Sequence, residues 1–307
     1  MSFLPADAPS GRPLGRIALV GSGPGAADLL TLRALERLRT ADVVFYDRLV
    51  DPAVLALTPA RTVFVGKEVG ANSWPQARIN AVIVVAALEG LRVVRLKSGD
   101  PSVFGRASEE LEAARLAGIP VEIVPGITAA SAAAASLGRP LTERGQTERL
   151  LIATATCRPG AVANVAAGFS AGSTLVLYMA MHRLAEVEVE LLAAGAPADC
   201  KVDIVQHVET STERHLQSRL QGMAQTASAA GFGNPAIVLV CWPKAESLPI
   251  QGMRRPRPTE ISLAGWFSVR PAGVFAFVSA QNEFRLNNLL ACRSDAQAGS
   301  CGGSGRS

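Results

Sequence analysis

Short β-branched runs alternate with segments of helical spacing along most of this chain, and that alternation restricts the fold more than any other feature. Nearly continuous apolar strands separated by helices belong to a mainly parallel sheet covered on both faces. The pattern predicts strands at 17–20, 43–46, 62–65, 93–96 and 121–124, and helices at 28–39, 75–88 and 105–117. Asp28 is placed to cap the first helix, and Gly118 with Pro120 ends the third. Around 136–145 the pattern breaks where Gly, Pro and charge occur together, as in an interdomain link. Beyond it the pattern predicts strands at 149–153, 173–178, 201–205 and 236–240, with helices at 184–194 and 215–229. Stricter alternation there points to a mixed or antiparallel sheet.

The expected organisation follows. It comprises a flexible leader at 1–14, an α/β domain at 15–136, a linker at 137–148, a second α/β domain at 149–244 and an irregular, partly disordered tail at 245–307. In that tail the prolines of 253–258 exclude a regular element, and the closing Gly/Ser-rich stretch is of low complexity.

Bulk composition narrows the function. A chain of 307 residues, 49% hydrophobic and 18% charged, can bury a sizeable core and is unlike a disordered protein. The net charge of +4, with no dense basic run among aromatics, argues against nucleic acid and suits an anionic small substrate. Cys157, Cys200, Cys241, Cys292 and Cys301 form no Cys-x-x-Cys pair and read as free thiols. His182, His207 and His215 lack metal-ligand spacing, so no protein-borne metal is expected. The first residues lack the basic start and apolar core of a signal peptide. No uncharged apolar run approaches the roughly 18 residues of a membrane span. A cytoplasmic protein with no membrane partner is expected.

Three glycine-bearing turns each follow an apolar strand. They are Val20-Gly21-Ser22-Gly23-Pro24-Gly25, Ser98-Gly99-Asp100-Pro101 and Val124-Pro125-Gly126-Ile127-Thr128-Ala129. In an open α/β sheet, ligands sit beyond the carboxyl ends of strands, where these turns lie. Gly21-x-Gly23-x-x-Ala26 also fits a dinucleotide fingerprint, with Asp42 or Asp47 at a suitable distance, which leaves a nicotinamide-dependent oxidoreductase as an alternative. Against it, Pro24 removes an amide that a pyrophosphate would use, and Asp28 sets a carboxylate at the helix start.

The same residues carry a resemblance. With Leu29–Ala34, the run from Ala41 through Asp47 and Arg48 to Val50, Phe64–Lys67, Pro75-Gln76, Val94–Arg106, Glu109-Glu110, Val124–Ala130, Tyr178-Met179 and Pro235-Ala236, the chain from about Gly15 to Trp242 resembles the tetrapyrrole methylases. Within them it is similar to the branch that acts on uroporphyrinogen III. The resemblance implies two α/β domains, a homodimer, and S-adenosyl-L-methionine (SAM) held between the domains. It implies C-methylation of an anionic tetrapyrrole, uroporphyrinogen III, to precorrin-2. Pro24, Ser98, Gly99, Asp100, Val103, Thr128, Ala129, Met179, Val208 and Ala236 would line the cofactor pocket. Asp47 would match the proton acceptor and Lys67 the donor, with Arg106 and Glu109 facing the substrate.

Read without the resemblance, Asp47 is a strand-end acid pairing with Arg48, Lys67 is a solvated charge, and Arg106 either caps a helix or pairs with Glu109 or Glu110. Arg48, Lys97, Arg139 and Arg144 are further candidate anchors for carboxylates. The chain departs from the family pattern at Ser98, Ser102, Glu68, Ala107, Ser108, Glu143, Ala155, Thr156, Val208 and Cys241, several of which add bulk or negative charge. Those departures leave open a methylase of another precorrin-like tetrapyrrole, or a non-catalytic binding paralogue.

Overall fold

Five parallel strands form the first sheet: β1 (Arg16–Gly21), β2 (Val43–Tyr46), β3 (Arg61–Phe64), β4 (Arg92–Lys97) and β5 (Val121–Val124), in the order β3-β2-β4-β1-β5. This is a computed structural model, and it describes residues 13–66, 74–156 and 164–244. The expected tail and nearly all of the expected leader lie outside the described residues, as does Lys67.

Alternation along each strand decides which helix covers which face. Ile17, Leu19, Val43, Phe45 and Val93 pack against α3 (Gln76–Leu88) and α4 (Ala107–Leu116) through Ile79, Ile83, Ala87 and Ala114. Ala18, Val20, Val44, Val94 and Leu96 face α1 (Leu32–Thr40) and the short α2 (Pro52–Leu55) through Ala34, Leu38 and Val54. The first helix starts later than expected. Thr31, in extended backbone, accepts from the Ala34 amide at 3.2 Å and is the cap, whereas Asp28 sits in a separate single 3₁₀ turn.

The second sheet holds β6 (Arg149–Thr154), β7 (Ser173–Tyr178), β8 (Lys201–Gln206), β9 (Arg214–Arg219) and β10 (Ala236–Trp242), in the order β6-β7-β10-β8-β9. β6 runs parallel to β7 and the other pairs are antiparallel, so this sheet is mixed. Leu175, Leu177, Val202, Ile204 and Val238 pack under α6 (Leu184–Ala193) and α7 (Met223–Ala229). On the opposite face, Val176, Val205, Ile237 and Leu239 pack against α5 (Ala129–Ser136) through Ala130, Ala132 and Ala133. α5 follows the third turn directly, so the last helix of the first half docks on the sheet of the second. The helix expected at 215–229 is corrected: its first part is β9, and only the part from Met223 is helical.

Candidate active site

The three turns interlock. After running parallel, β1 and β4 bend toward each other, and Gly23 and Gly99 exchange backbone hydrogen bonds at 3.3 and 2.7 Å. A methyl on Gly21 would lie 2.5 Å from Gly99 O and 2.7 Å from the Gly126 amide, so only glycine permits this approach. Asp100 ties the second turn to the third: Oδ2 accepts from the Gly126 amide at 3.1 Å, while Oδ1 accepts from the Ser102 amide at 2.7 Å and from its hydroxyl. Three of its roughly four acceptor positions are thus engaged inside the protein.

The second sheet closes the site from the other side. Tyr178 at the end of β7 bonds through its hydroxyl to Thr128 Oγ1 and accepts from the Ala130 amide at 2.9 Å. Its ring lies 5.2 Å from that of Phe104. Burial pushes the Tyr178 hydroxyl above its usual pKa and the nearby Asp100 charge adds to this, while the bonds from Thr128 and Ala130 act against it. The loop after β8 reaches the first turn, where a methyl on Gly25 would lie 2.5 Å from Glu209 O and 2.9 Å from Val208 O.

Backbone conformation marks the same region. Among the described residues, the non-glycine positions with positive φ are Phe104 (52°), Arg106 (56°), Met179 (54°), His207 (53°) and Glu209 (58°), all on loops that follow β4, β7 and β8. Each costs about 1–2 kcal/mol relative to ordinary backbone, and such conformations gather at ligand sites.

A charged group lies on the α3/α4 side of the first sheet. Register pairs Phe45 with Arg95, which brings Asp47, just beyond β2, alongside Lys97. Arg95 Nη2 is 2.5 Å from Asp47 Oδ1, and its Nε is 3.0 Å from Glu110 Oε1. Lys97 Nζ is 3.0 Å from both Glu110 oxygens. Arg95 and Glu110 are 2% and 0% exposed at their side chains, whereas Asp47 is 33% exposed. Burial pushes the Lys97 ammonium below its usual pKa and Arg95 adds to this, while Glu110 and Asp47 hold it up.

The structure therefore brings together Pro24, Ser98, Gly99, Asp100, Val103, Thr128, Ala129, Met179 and Val208 on converging or adjoining turns. Met179 is exposed, and its carbonyl accepts from Thr156 Oγ1 at 3.1 Å. Ala236 sends its side chain into the core under α6 and α7, so only its backbone is available on the near side. Arg106 Nε and Nη2 bind Glu109 at 2.8 and 2.7 Å, at the exposed start of α4. Two suggested anchors are corrected. Lys97 is buried against Glu110, and Arg139 is spent on Asp203 at 2.6 Å. Asp47 pairs with Arg95 across the sheet and not with its neighbour Arg48. Sequence reading missed Tyr178, Phe104, Arg95 and Glu110 as site residues. The signal for Arg95 was a charge inside an otherwise apolar strand.

Comparison with known proteins agrees with this geometry. The sequence profile described as tetrapyrrole (corrin/porphyrin) methylases matches residues 16–224. The chain is 43% identical over 231 residues to uroporphyrinogen-III C-methyltransferase of Paracoccus denitrificans, covering 74% of this chain and 80% of that protein. It is 40% identical to siroheme synthase of Methylococcus capsulatus over 74% of its own length but 48% of the relative's, so it spans about half of that longer protein. The crystal structure of uroporphyrin-III C-methyltransferase from Thermus thermophilus with S-adenosylhomocysteine superposes with a TM-score of 0.65 at 36% identity, covering 74% of this chain and 92% of that one. With the profile spanning most of both sheets, this chain belongs to the tetrapyrrole methylase family.

Proposed function

We propose that this protein is a SAM-dependent C-methyltransferase that converts uroporphyrinogen III to precorrin-2. The observation that carries the reading is the meeting of three strand-end turns with Tyr178, Met179 and Val208 from the second half, near a solvent-reaching Asp47. The residues present fit the cofactor. A side chain built on Gly99 would meet only the Ala129 amide nitrogen, at 4.0 Å, so room stands open above the turn for a ligand to approach backbone. Met179 adds a soft, adaptable wall.

When bound, the cofactor supplies an electrophilic methyl group on a sulfonium. Pro24, Ser98, Gly99, Asp100, Val103, Thr128, Ala129, Val208 and the backbone of Ala236 hold and orient it, and this positioning provides most of the acceleration. Tyr178 fixes Thr128 and the start of α5, which keeps the third turn in place. Asp47 accepts the proton that leaves the macrocycle after methyl transfer, and Lys67 acts as donor. Arg106 and Glu109 meet the substrate's rim, where the exposed guanidinium can exchange Glu109 for a substrate carboxylate. The reading includes a homodimer in the cytoplasm. The homodimer follows from the family resemblance, and among the described residues no helix is long and apolar enough to cross a membrane.

Anaerobic incubation of purified protein with SAM and uroporphyrinogen III tests the proposal. Expected is a bismethylated product, fluorescent after oxidation, with S-adenosylhomocysteine formed alongside. Cofactor binding with no product would overturn the catalytic reading and favour a binding paralogue.

A further inference from the structure

Below the turns, four charged side chains share one contact network that packing alone does not require. Arg95 bridges Asp47 Oδ1 and Glu110 Oε1, at 2.5 and 3.0 Å. Its Nη1 is bound to Phe45 O at 3.3 Å and Leu96 O at 3.1 Å, so the guanidinium cannot swing away. Lys97 Nζ contacts both Glu110 oxygens at 3.0 Å and stands 4.0 Å from Asp47 Oδ2. From α3, Gln76 Nε2 donates to Glu110 Oε1 at 3.1 Å. Arg48, next along the chain from Asp47, is exposed. Two cations and two anions give a group of zero net charge. Burial of such a group is tolerable only while the charges balance and the hydrogen bonds are made. Of the four, only Asp47 has substantial contact with solvent. Its Oδ1 is taken by Arg95, and Oδ2 has no hydrogen-bond partner among the described residues.

We propose that Arg95, Lys97 and Glu110 are positioning residues for proton removal: a buried frame of one net positive charge, neutral only together with Asp47, that holds the Asp47 carboxylate in place and leaves Oδ2 to receive the proton. This rests on the reading of Asp47 as the acceptor. In the step concerned a C–H bond of the methylated macrocycle breaks. Its electron pair stays on the ring and quenches the positive charge left by methyl transfer, and the proton ends on Oδ2. Arg95 acts by geometry and charge, Lys97 by charge at short range, and Glu110 by holding both cations in place.

The test uses full-length protein and four variants. Lys97→Met removes one of the two cations that hold Glu110 and a charge near Asp47, so kcat falls at least about tenfold while the tetrapyrrole KM stays within about twofold. Lys97→Met combined with Glu110→Gln restores the balance and returns kcat toward that of the parent. Arg95→Lys keeps the charge but loses the fork, so kcat falls at least about tenfold while the tetrapyrrole KM stays within about twofold. In all of these the calorimetric affinity for S-adenosylhomocysteine stays at the parent's value, because the substituted side chains engage Asp47 and α4, whereas the turns are held through backbone, as where the Lys97 carbonyl accepts from the Ser22 amide at 2.8 Å. An unchanged kcat in folded Lys97→Met overturns the proposal. If Lys97→Met does not fold, an unchanged kcat in Arg95→Lys overturns it. Asp47→Asn separates the two levels: full turnover in that variant refutes the acceptor itself, whereas lost turnover beside a parent-like Lys97→Met and Arg95→Lys refutes only the frame.

Discussion

Asp47 joins a buried ion pair to solvent, and a one-atom change can test what it does. Replacement by Asn keeps the shape and removes the basic oxygen. Asp47→Asn is expected to bind SAM as the parent does, by calorimetry, and to lose about 10²–10⁴ in kcat. Arg106 has the opposite profile. It is half exposed, held by Glu109 in a two-point contact, and in left-handed backbone at the start of α4. Arg106→Ala should raise the tetrapyrrole KM about tenfold or more with little change in kcat, read from steady-state kinetics. Both residues were singled out through the family resemblance, because read alone Asp47 is an ordinary strand-end acid and Arg106 a helix cap or ion-pair partner. Arg95 and Glu110 were not, since they lie 15 positions apart and meet only when α4 folds back over β4. Neighbour reasoning gave Asp47 to Arg48. Strand register gives it to Arg95, which is not adjacent to it in sequence.

Elements differ in whether they serve the site or the frame of the fold. At the edge of the sheet opposite the turns, Arg92 grips Asp42 with Nε at 3.0 Å and Nη2 at 2.7 Å, and its amide adds a bond of 2.7 Å. The side-chain bond from Arg92, followed by the backbone bond, holds the Asp42 carboxyl down to about 2, below its usual 3.8. A folded-state value below the unfolded one means that the stabilisation is complete above the unfolded value and disappears as pH falls through the folded one. Asp42→Asn should therefore lower the urea midpoint slightly at pH 7 and match the parent near pH 2, with activity unaffected. The glycine turns give a contrast. Gly126→Ala would put a methyl 2.3 Å from Gly99 O and 2.9 Å from Gly21 Cα, so a loss of about 3 kcal/mol in unfolding free energy is expected. Gly99→Ala meets nothing nearer than 4.0 Å but sits at φ 70°, so it should cost about 1 kcal/mol and mainly weaken cofactor affinity. Strands of the first sheet were legible because burial on both faces writes continuous apolar runs. β9 was not, because it pairs on one side only and Leu216 is its single large apolar residue. α5 was missed because a helix made of Ala and Ser has no amphipathic stripe, although Ala is the strongest helix former.

Across the whole molecule, the two halves are joined by more than the chain that links them. Asp203, fully buried in β8, is compensated by Arg139 from the connecting segment, an ion pair at 2.6 Å and not an aligned hydrogen bond. Arg139→Ala would leave that carboxylate alone, and a loss of about 3 kcal/mol by denaturant titration is expected. The bend-rich seam between the sheets has a further consequence for anyone breeding a hardier version of this protein. Heat selection will favour glycine at 179, 207 or 209, where tension in the main chain would relax at once. The survivors would be more stable and, on the proposed reading, would methylate worse, because the relaxed positions include Met179 and flank Val208. Toughness and turnover are therefore set against each other at the same few codons.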